Sequence, residues 1–257
     1  MPIEVIHRHP RMLTTPRNLA NAIASVQGTS PVIRRSSSVC LSRRLRLSYQ
    51  FRYSTSLSHL NADQRQVYTF FNSNKAVQRK ILQAEGLPTI PCATTHEEAR
   101  GLETPTGKYV VRPLNHQYGN GWRTTLLSTD FQEGREYIQP LLQKKREFRV
   151  LTSLGKQIVF LRKKLSGIYD PSVPWNHHQG SSFVTVNSER FFYPGYSFLD
   201  DALQHPILYY GDLIGVDILQ DENNRSYIIE YNSAPAVTIE SNLNKIAEYL
   251  VNHPRFN

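Results

Sequence analysis

Two short runs near the carboxyl end, Gly-Val-Asp-Ile-Leu at 215–219 and Tyr-Ile-Ile-Glu-Tyr-Asn at 227–232, constrain this chain more than any other feature. Each alternates apolar and polar residues with a period of two, as a half-buried strand does. The intervening Gln-Asp-Glu-Asn-Asn-Arg suits a tight turn centred on Asn223 and Asn224, which makes the two runs a hairpin. That register pairs Leu219 with Ile228 and Asp217 with Glu230. Partners across a hairpin project from one face, as do residues two apart along a strand. Asp217, Glu230 and Asn232 then share a face, and Val216, Ile218, Ile229 and Tyr231 take the other. Two opposed carboxylates repel unless something neutralises them, and a set of hard oxygen donors suits Mg²⁺, which takes one or two carboxylates plus phosphate oxygens. A solvent-facing acidic patch would show the same alternation.

Two further groupings carry chemistry. Val110-Val111-Arg112-Pro113 reads as a strand that ends in a cation and runs into Asn115–Gly121, a loop holding Gly119 and Gly121. Glycines let backbone N–H groups close on phosphate oxygens, although an ordinary hairpin turn explains the loop equally well. Downstream, the apolar connector Gln139-Pro-Leu141-Leu142 precedes Glu147-Phe-Arg149-Val150, and a later strand ends in Arg162-Lys163-Lys164. A connector of this kind beside a carboxylate and a basic strand end can hold base, ribose and phosphate in order. Lysines also end many strands at solvent.

The rest of the chain supplies the frame. Strands are expected at 108–114, 124–128, 136–141, 147–153, 157–165, 182–186, 213–220 and 226–232. A helix capped by Asn61 places Val67, Phe70 and Phe71 on one face. A second begins near Asn74, carries Val77, Ile81 and Ala84 on one stripe, and stops at Gly86. A closing helix over 241–252 presents Leu243, Ile246, Ala247, Leu250 and Val251. The class is α+β with strands in excess, and no internal repeat is visible.

Charge divides the chain unevenly. Of 30 basic residues in a net charge of +9, residues 1–60 hold nine arginines and no lysine, with Glu4 as the one acid. The remainder is nearly neutral. The leading segment reads as a small irregular unit with short apolar runs at Ile3–Ile6 and Leu45–Phe51. Its arginines form a solvated surface, an attractive face for nucleic acid or an acidic partner, or part of a transit peptide. Glu4 and the prolines at 2, 10 and 16 argue against the last. No apolar run approaches the roughly 20 residues a membrane helix needs, so no membrane partner is expected. Cys40 and Cys92 form no CxxC pair, which excludes a metal–thiolate cluster and makes a reducing cytoplasm the expected compartment.

In order along the chain these groupings resemble the ATP-grasp superfamily of carboxylate–amine ligases, over about residues 61–240. The segment from Asn74-Lys75 to Glu85-Gly86-Leu-Pro-Thr-Ile-Pro91 is similar to the family helix that ends in Gly-(Ile/Leu)-Pro-x-x-Pro. Val110–Pro113 resembles the Val-x-Lys-Pro strand, with Arg112 where the lysine stands; arginine keeps the charge but grips bidentately. Gln139 to Leu142 fit the hinge that meets adenine, and Glu147 fits the ribose carboxylate. Asn176-His-His-Gln-Gly180 resembles an Asn-x-His-x-Gly segment of ligases that add glutamate to a ribosomal protein, without the arginine that precedes it there. Asp217, Glu230 and Asn232 match the Asp…Glu-x-Asn metal set, and Ser233-Ala-Pro235 follows. Short members of this layout look like those found in some bacterial viruses, for which the compartment is the host cytoplasm.

The resemblance implies two α+β subdomains gripping ATP, about 74–140 and about 141–257 within a domain of 61–257, behind a reduced preceding domain of 1–60. It implies ATP and Mg²⁺, with Mn²⁺ as the alternative ion. Lys75, Arg112, Gly119, Gly121, Gln139, Leu141, Leu142, Glu147 and Lys163 would bind the nucleotide. Lys163, Arg149 and Asn176 would serve catalysis, and Asp217, Glu230 and Asn232 would hold the metal. The implied reaction joins a small-molecule or peptide carboxylate to an amine through an acylphosphate. Trp175, His177 and His178 are candidates to receive substrate. Two other functions fit the same residues. One is a catalytically silent scaffold whose basic leading face binds nucleic acid or an acidic partner, and the other is a kinase-like member.

Overall fold

The structure is a computed structural model that describes residues 4–7, 14–35, 46–48, 70, 73–115, 121–153, 156–164, 181–186, 213–232, 235 and 237–254. Three sheets organise it. The largest has the order β11-β10-β7-β8-β9, all antiparallel, from β7 (Lys144–Ser153), β8 (Lys156–Lys164), β9 (Ser182–Thr185), β10 (Ile214–Asp221) and β11 (Ser226–Asn232). A smaller antiparallel sheet places β4 (Tyr109–Pro113) between β5 (Arg123–Thr125) and β6 (Glu136–Pro140). All eight expected strands are present, most within a residue or two of their expected ends. β7 starts three residues earlier than expected, and β5 is a shortened version of 124–128.

The leading segment is more regular than its sequence suggests. Strand β1 (Glu4–His7) runs parallel to both β2 (Val32–Arg35) and β3 (Arg46–Ser48), with helix α1 (Thr14–Gln27) as the crossover from β1 to β2. Parallel neighbours need such a crossover, and strands this short show little period-two signal of their own. Leu19, Ala20, Ala22 and Ile23 of α1 join one core with Leu151, Val159 and Leu161 of the large sheet and with Leu243, Ile246, Ala247 and Leu250 of α4 (Glu240–Asn252). The leading segment thus shares a core with the large sheet and α4.

Helix α2 (Lys75–Ala84) begins as expected, with the Asn74 side chain accepting from the Val77 N–H at 3.0 Å. It ends in a Schellman motif. Gly86, at φ +77°, donates to the Gln83 carbonyl, and Leu87 donates to Leu82, against which it also packs. Its buried face is Ala76, Gln78, Arg79 and Leu82. The expected stripe of Val77, Ile81 and Ala84 is therefore corrected: Val77 and Ala84 are exposed and Ile81 is only partly buried. The polar Gln78 and Arg79 on the inner face hid the true stripe. Helix α3 (His96–Arg100) packs its Ala99 against Val111 and Ile138 of the smaller sheet. The helix expected from Asn61 lies outside the described residues except for Phe70, which is buried with Leu82 of α2 against the large sheet.

One face of the large sheet changes character along its length. Leu151 on β7 and Val159 and Leu161 on β8 lie beneath α1 and α4. Two or four residues further along the same strands and the same face come Arg149, Glu147 and Lys163. The alternation is unbroken, but the cover changes from helix to the smaller sheet. That change makes the cleft.

Candidate active-site cleft

The cleft lies between the two antiparallel sheets, lined from one side by Val110, Arg112, Trp122, Gln139, Leu141 and Leu142 and from the other by Lys144, Glu147, Lys163, Asp217, Leu219 and Glu230. One end is apolar, where Ile90, Leu142 and Leu219 pack with Tyr227 and Ile229. The other end is densely charged.

Asp217 and Glu230 are partners across the β10–β11 ladder, and Gly215 faces Asn232 two positions away. The route to this pairing differs from the sequence expectation. Asp221 N–H donates to the Arg225 carbonyl and Asn224 adopts φ 62°, so the turn is a three-residue loop centred on Asn223 rather than a pair centred on Asn223 and Asn224. Leu219 therefore pairs with Tyr227, not with Ile228. Carried onward, that register would oppose Asp217 to Ile229 and turn Glu230 into the core. A β-bulge between Asp217 and Ile218 leaves Ile229 out of the ladder and restores the Asp217–Glu230 pair. The bulge also exchanges two isoleucines. Ile228 joins the core with Val216, Ile218 and Tyr231, while Ile229 lines the cleft.

Each carboxylate meets a cation. Arg149, opposite Asp217 on the adjoining strand, grips it bidentately, Nε to Oδ1 at 2.5 Å and Nη2 to Oδ2 at 2.7 Å. Burial works against the Arg149 charge, but Asp217, with Glu230 and Glu147 beyond it, more than compensates and holds the guanidinium protonated. Lys75, the first residue of α2, ion-pairs with Glu230. Lys163 donates to Glu147 at 2.5 Å and Lys144 to the other oxygen at 3.2 Å. Burial pushes the Glu147 carboxyl up, yet the two lysines outweigh it and leave its pKa below the ordinary value. Burial depresses Lys144 to about 8 against the pull of Glu147. Arg112, the penultimate residue of β4, lines the cleft beside this group, and its Nε is buried without a hydrogen-bond partner among the described residues.

The cleft is thus lined by eight residues that the sequence singles out: Arg112, Gln139, Leu141, Leu142, Glu147, Lys163, Asp217 and Glu230. Lys75 and Arg149 are bonded to its carboxylates. Asn232 is half-buried on the same strand as Glu230, and Gly121, at φ 73°, lies against Pro113. Gly119, Asn176, Trp175, His177, His178, Ser233 and Ala234 fall outside the described residues. Two buried cations of the cleft went unnoticed in the sequence. Arg79 sits on a helix face assigned one step away, and Lys144 precedes the expected start of β7. Among the described residues no three His, Cys, Asp or Glu side chains gather as a metal cluster. Among the described residues, Asp217, Glu230 and Asn232 bring two carboxylates and an amide to the β10–β11 hairpin, and Glu147 adds a third carboxylate to the cleft.

No protein-family model and no curated protein matches the chain. Solved structures do. The chain is similar to the ATP-grasp ligase PsnB, solved with a minimal precursor, Mg and ADP, at 13% identity and a TM-score of 0.63, over 97% of this chain and 96% of that one. The fold is ATP-grasp. A RiPP-associated ATP-grasp ligase from Chryseobacterium gregarium, in complex with ADP and a leader and core peptide, matches at 12% identity and a TM-score of 0.59 over 97% and 96% of the two chains. D-alanine–D-alanine ligase from Bacillus anthracis, complexed with ATP, matches at 14% identity and 0.55, over 100% and 93%. The cleft of this chain lies between its smaller and larger antiparallel sheets, and residues of both contribute charge. No helix among the described residues is long and apolar enough to cross a membrane.

Proposed function

We propose that this chain is an ATP-dependent, Mg²⁺-dependent carboxylate–amine ligase that releases ADP and forms an amide bond through an acylphosphate. The observation that carries the reading is the polarity of the cleft. Across neighbouring strands the lining passes from Leu219, packed with Leu142, to buried Glu147 and on to Lys163, with Lys144 bonded to Glu147 and Arg112 in the same lining. A nucleoside triphosphate has the same order of apolar base, polar ribose and polyanion.

Bound ATP and Mg²⁺ would supply the activated phosphoryl group and its charge compensation. Asp217, Glu230 and Asn232 are the residues to hold the ion, with Mn²⁺ as an alternative. The unpartnered Arg112 Nε is a buried donor that fits a phosphate oxygen. Glu147 orients Lys163 and Lys144, so two ammonium groups stand fixed near where phosphate charge accumulates. Arg149 holds Asp217 in place by both carboxylate oxygens, which keeps one metal ligand from rotating. Asn176 and Gly119 are proposed for substrate and phosphate contact on the family resemblance alone. The similar PsnB was also solved with a precursor peptide and the Chryseobacterium gregarium ligase with a leader and core peptide, which supports a peptide as carboxylate or amine donor here.

The test is an ADP-release screen across amino acids and short peptides with Mg²⁺. Release that depends on an added amine is expected. Glu230→Gln should remove turnover, and undiminished activity in that variant would exclude Glu230 from the metal set.

A further inference from the structure

Arg79 is 3% exposed, and an arginine so deeply buried must have every N–H accounted for. It stands on the inner face of α2 with its guanidinium carbon 5.6 Å from the Tyr137 ring centroid. Its Nε donates to the Ile229 carbonyl at 3.2 Å. Ile229 is the residue that the bulge removes from the ladder, so this carbonyl needs a donor from elsewhere. Its Nη1 donates to Gln139 Oε1. Arg79 therefore joins the first lobe to the β11 edge of the second at the apolar end of the cleft.

The bond to Gln139 fixes more than position. A glutamine amide can turn over at little cost and present either its oxygen or its nitrogen to a ligand. Arginine has five donors and no acceptor, so only the amide oxygen can face it. Turned over, Gln139 would set N–H₂ against a buried guanidinium, leaving donors on both sides unsatisfied. Gln139 is itself 6% exposed and lines the cleft beside Leu142 and Leu219. No protein group accepts from its Nε2 among the described residues. On the nucleotide reading given above, we infer that Arg79 is a positioning residue that locks Gln139 with its amide N–H₂ toward the base pocket, where it reads a hydrogen-bond acceptor on the purine ring edge. The lock makes Gln139 a donor only. A ring nitrogen of adenine can pair with it, and the exocyclic amino group cannot.

The test uses the full chain and equilibrium binding of ATP, 1-deaza-ATP, 3-deaza-ATP and 7-deaza-ATP in the presence of Mg²⁺. One analogue should bind about fivefold more weakly than ATP, the worth of a single neutral hydrogen bond. In Gln139→Glu, which keeps an oxygen for Arg79 but has no amide donor, ATP and that analogue should bind alike. In Arg79→Met the discrimination should shrink, and Arg79→Lys should restore part of it. A merely structural role for Arg79 would weaken all four nucleotides equally. Should Arg79→Met not fold, the glutamate variant decides alone. Wild-type chain that binds ATP and every analogue equally, or a Gln139→Glu variant that still discriminates, overturns the inference and leaves the nucleotide reading standing. A wild-type chain that binds no ATP overturns both.

Discussion

At the scale of single residues the cleft is a set of charges that only make sense in pairs. Lys144 is the most exposed to change, because burial has drawn its pKa down to about 8 while Glu147 pulls it back. Below that pH the lysine is charged in both the folded and the unfolded chain. Between about 8 and the ordinary lysine value of roughly 10.4, the folded chain has shed the proton and the unfolded chain still binds it. Stability from this residue therefore rises with pH across that window. Urea titrations at pH 7.5 and 9.5 should show a gain in the wild type that Lys144→Met lacks. An identical pH response in the two proteins would mean that Lys144 titrates normally. Glu147, Arg149, Lys163, Asp217 and Glu230, all named from the sequence, come together in or against the cleft, although the charged runs 144–149 and 162–164 read equally well as solvated strand ends. Arg79 was not named, since an arginine on a helix reads as surface until its neighbours are known.

At the scale of elements, strand β10 is the member on which the two carboxylate pairings depend. Gly215, its second residue, lies where a Cβ would stand 2.9 Å from Pro235 Cβ and 3.5 Å from Arg149 Cδ. Pro235, beyond β11, and the stem of the arginine that holds Asp217 thus both lie against the bare backbone of Gly215. Gly215→Ala should cost about 1–3 kcal/mol by overpacking. Chemical denaturation measures this directly, and a loss below experimental error would mean that Pro235 gives way freely. The hairpin of β10 and β11 shows how far pattern reading reaches at this scale. Alternation put Asp217 opposite Glu230, and that pairing holds. The turn, however, is displaced by one residue through Asn224, and the bulge at Ile229 reverses the displacement. Two compensating irregularities leave no trace in a count of alternating residues. Only the exchange of Ile228 for Ile229 in the core reveals them.

At the scale of the whole molecule, helix α1 of the leading segment shares one apolar core with the large sheet and α4. Ile23 on α1 is 1% exposed and belongs to the cluster that also holds Leu151, Val159 and Ile246. Ile23→Ala should therefore cost about 2–5 kcal/mol. The loss should appear equally in the amide exchange of α1 and of β7, because neither can open without exposing that core. Exchange that accelerates in α1 alone would show a leading segment that opens independently. The arrangement also explains the cleft. Covering one half of the sheet face with α1 and α4 leaves the other half for the smaller sheet, and the charged residues sit under that second cover.

The sequence by itself determined the eight strands from β4 to β11, the caps of α2, the closing helix and half of the residues that line the cleft, since each follows from local alternation, a capping side chain or the order of motifs along the chain. It also determined the order of the chemical pieces along the chain. Tertiary structure alone decided which face of α2 is buried, that the arginine-rich leading segment carries a parallel sheet, and how Asp217 comes to face Glu230. Those outcomes depend on contacts between residues far apart in the chain: Arg79 with Gln139 and Ile229, α1 with α4, Gly215 with Pro235 and Arg149. A local pattern records which residues want burial or charge, and only the assembled fold supplies the surface against which each is satisfied.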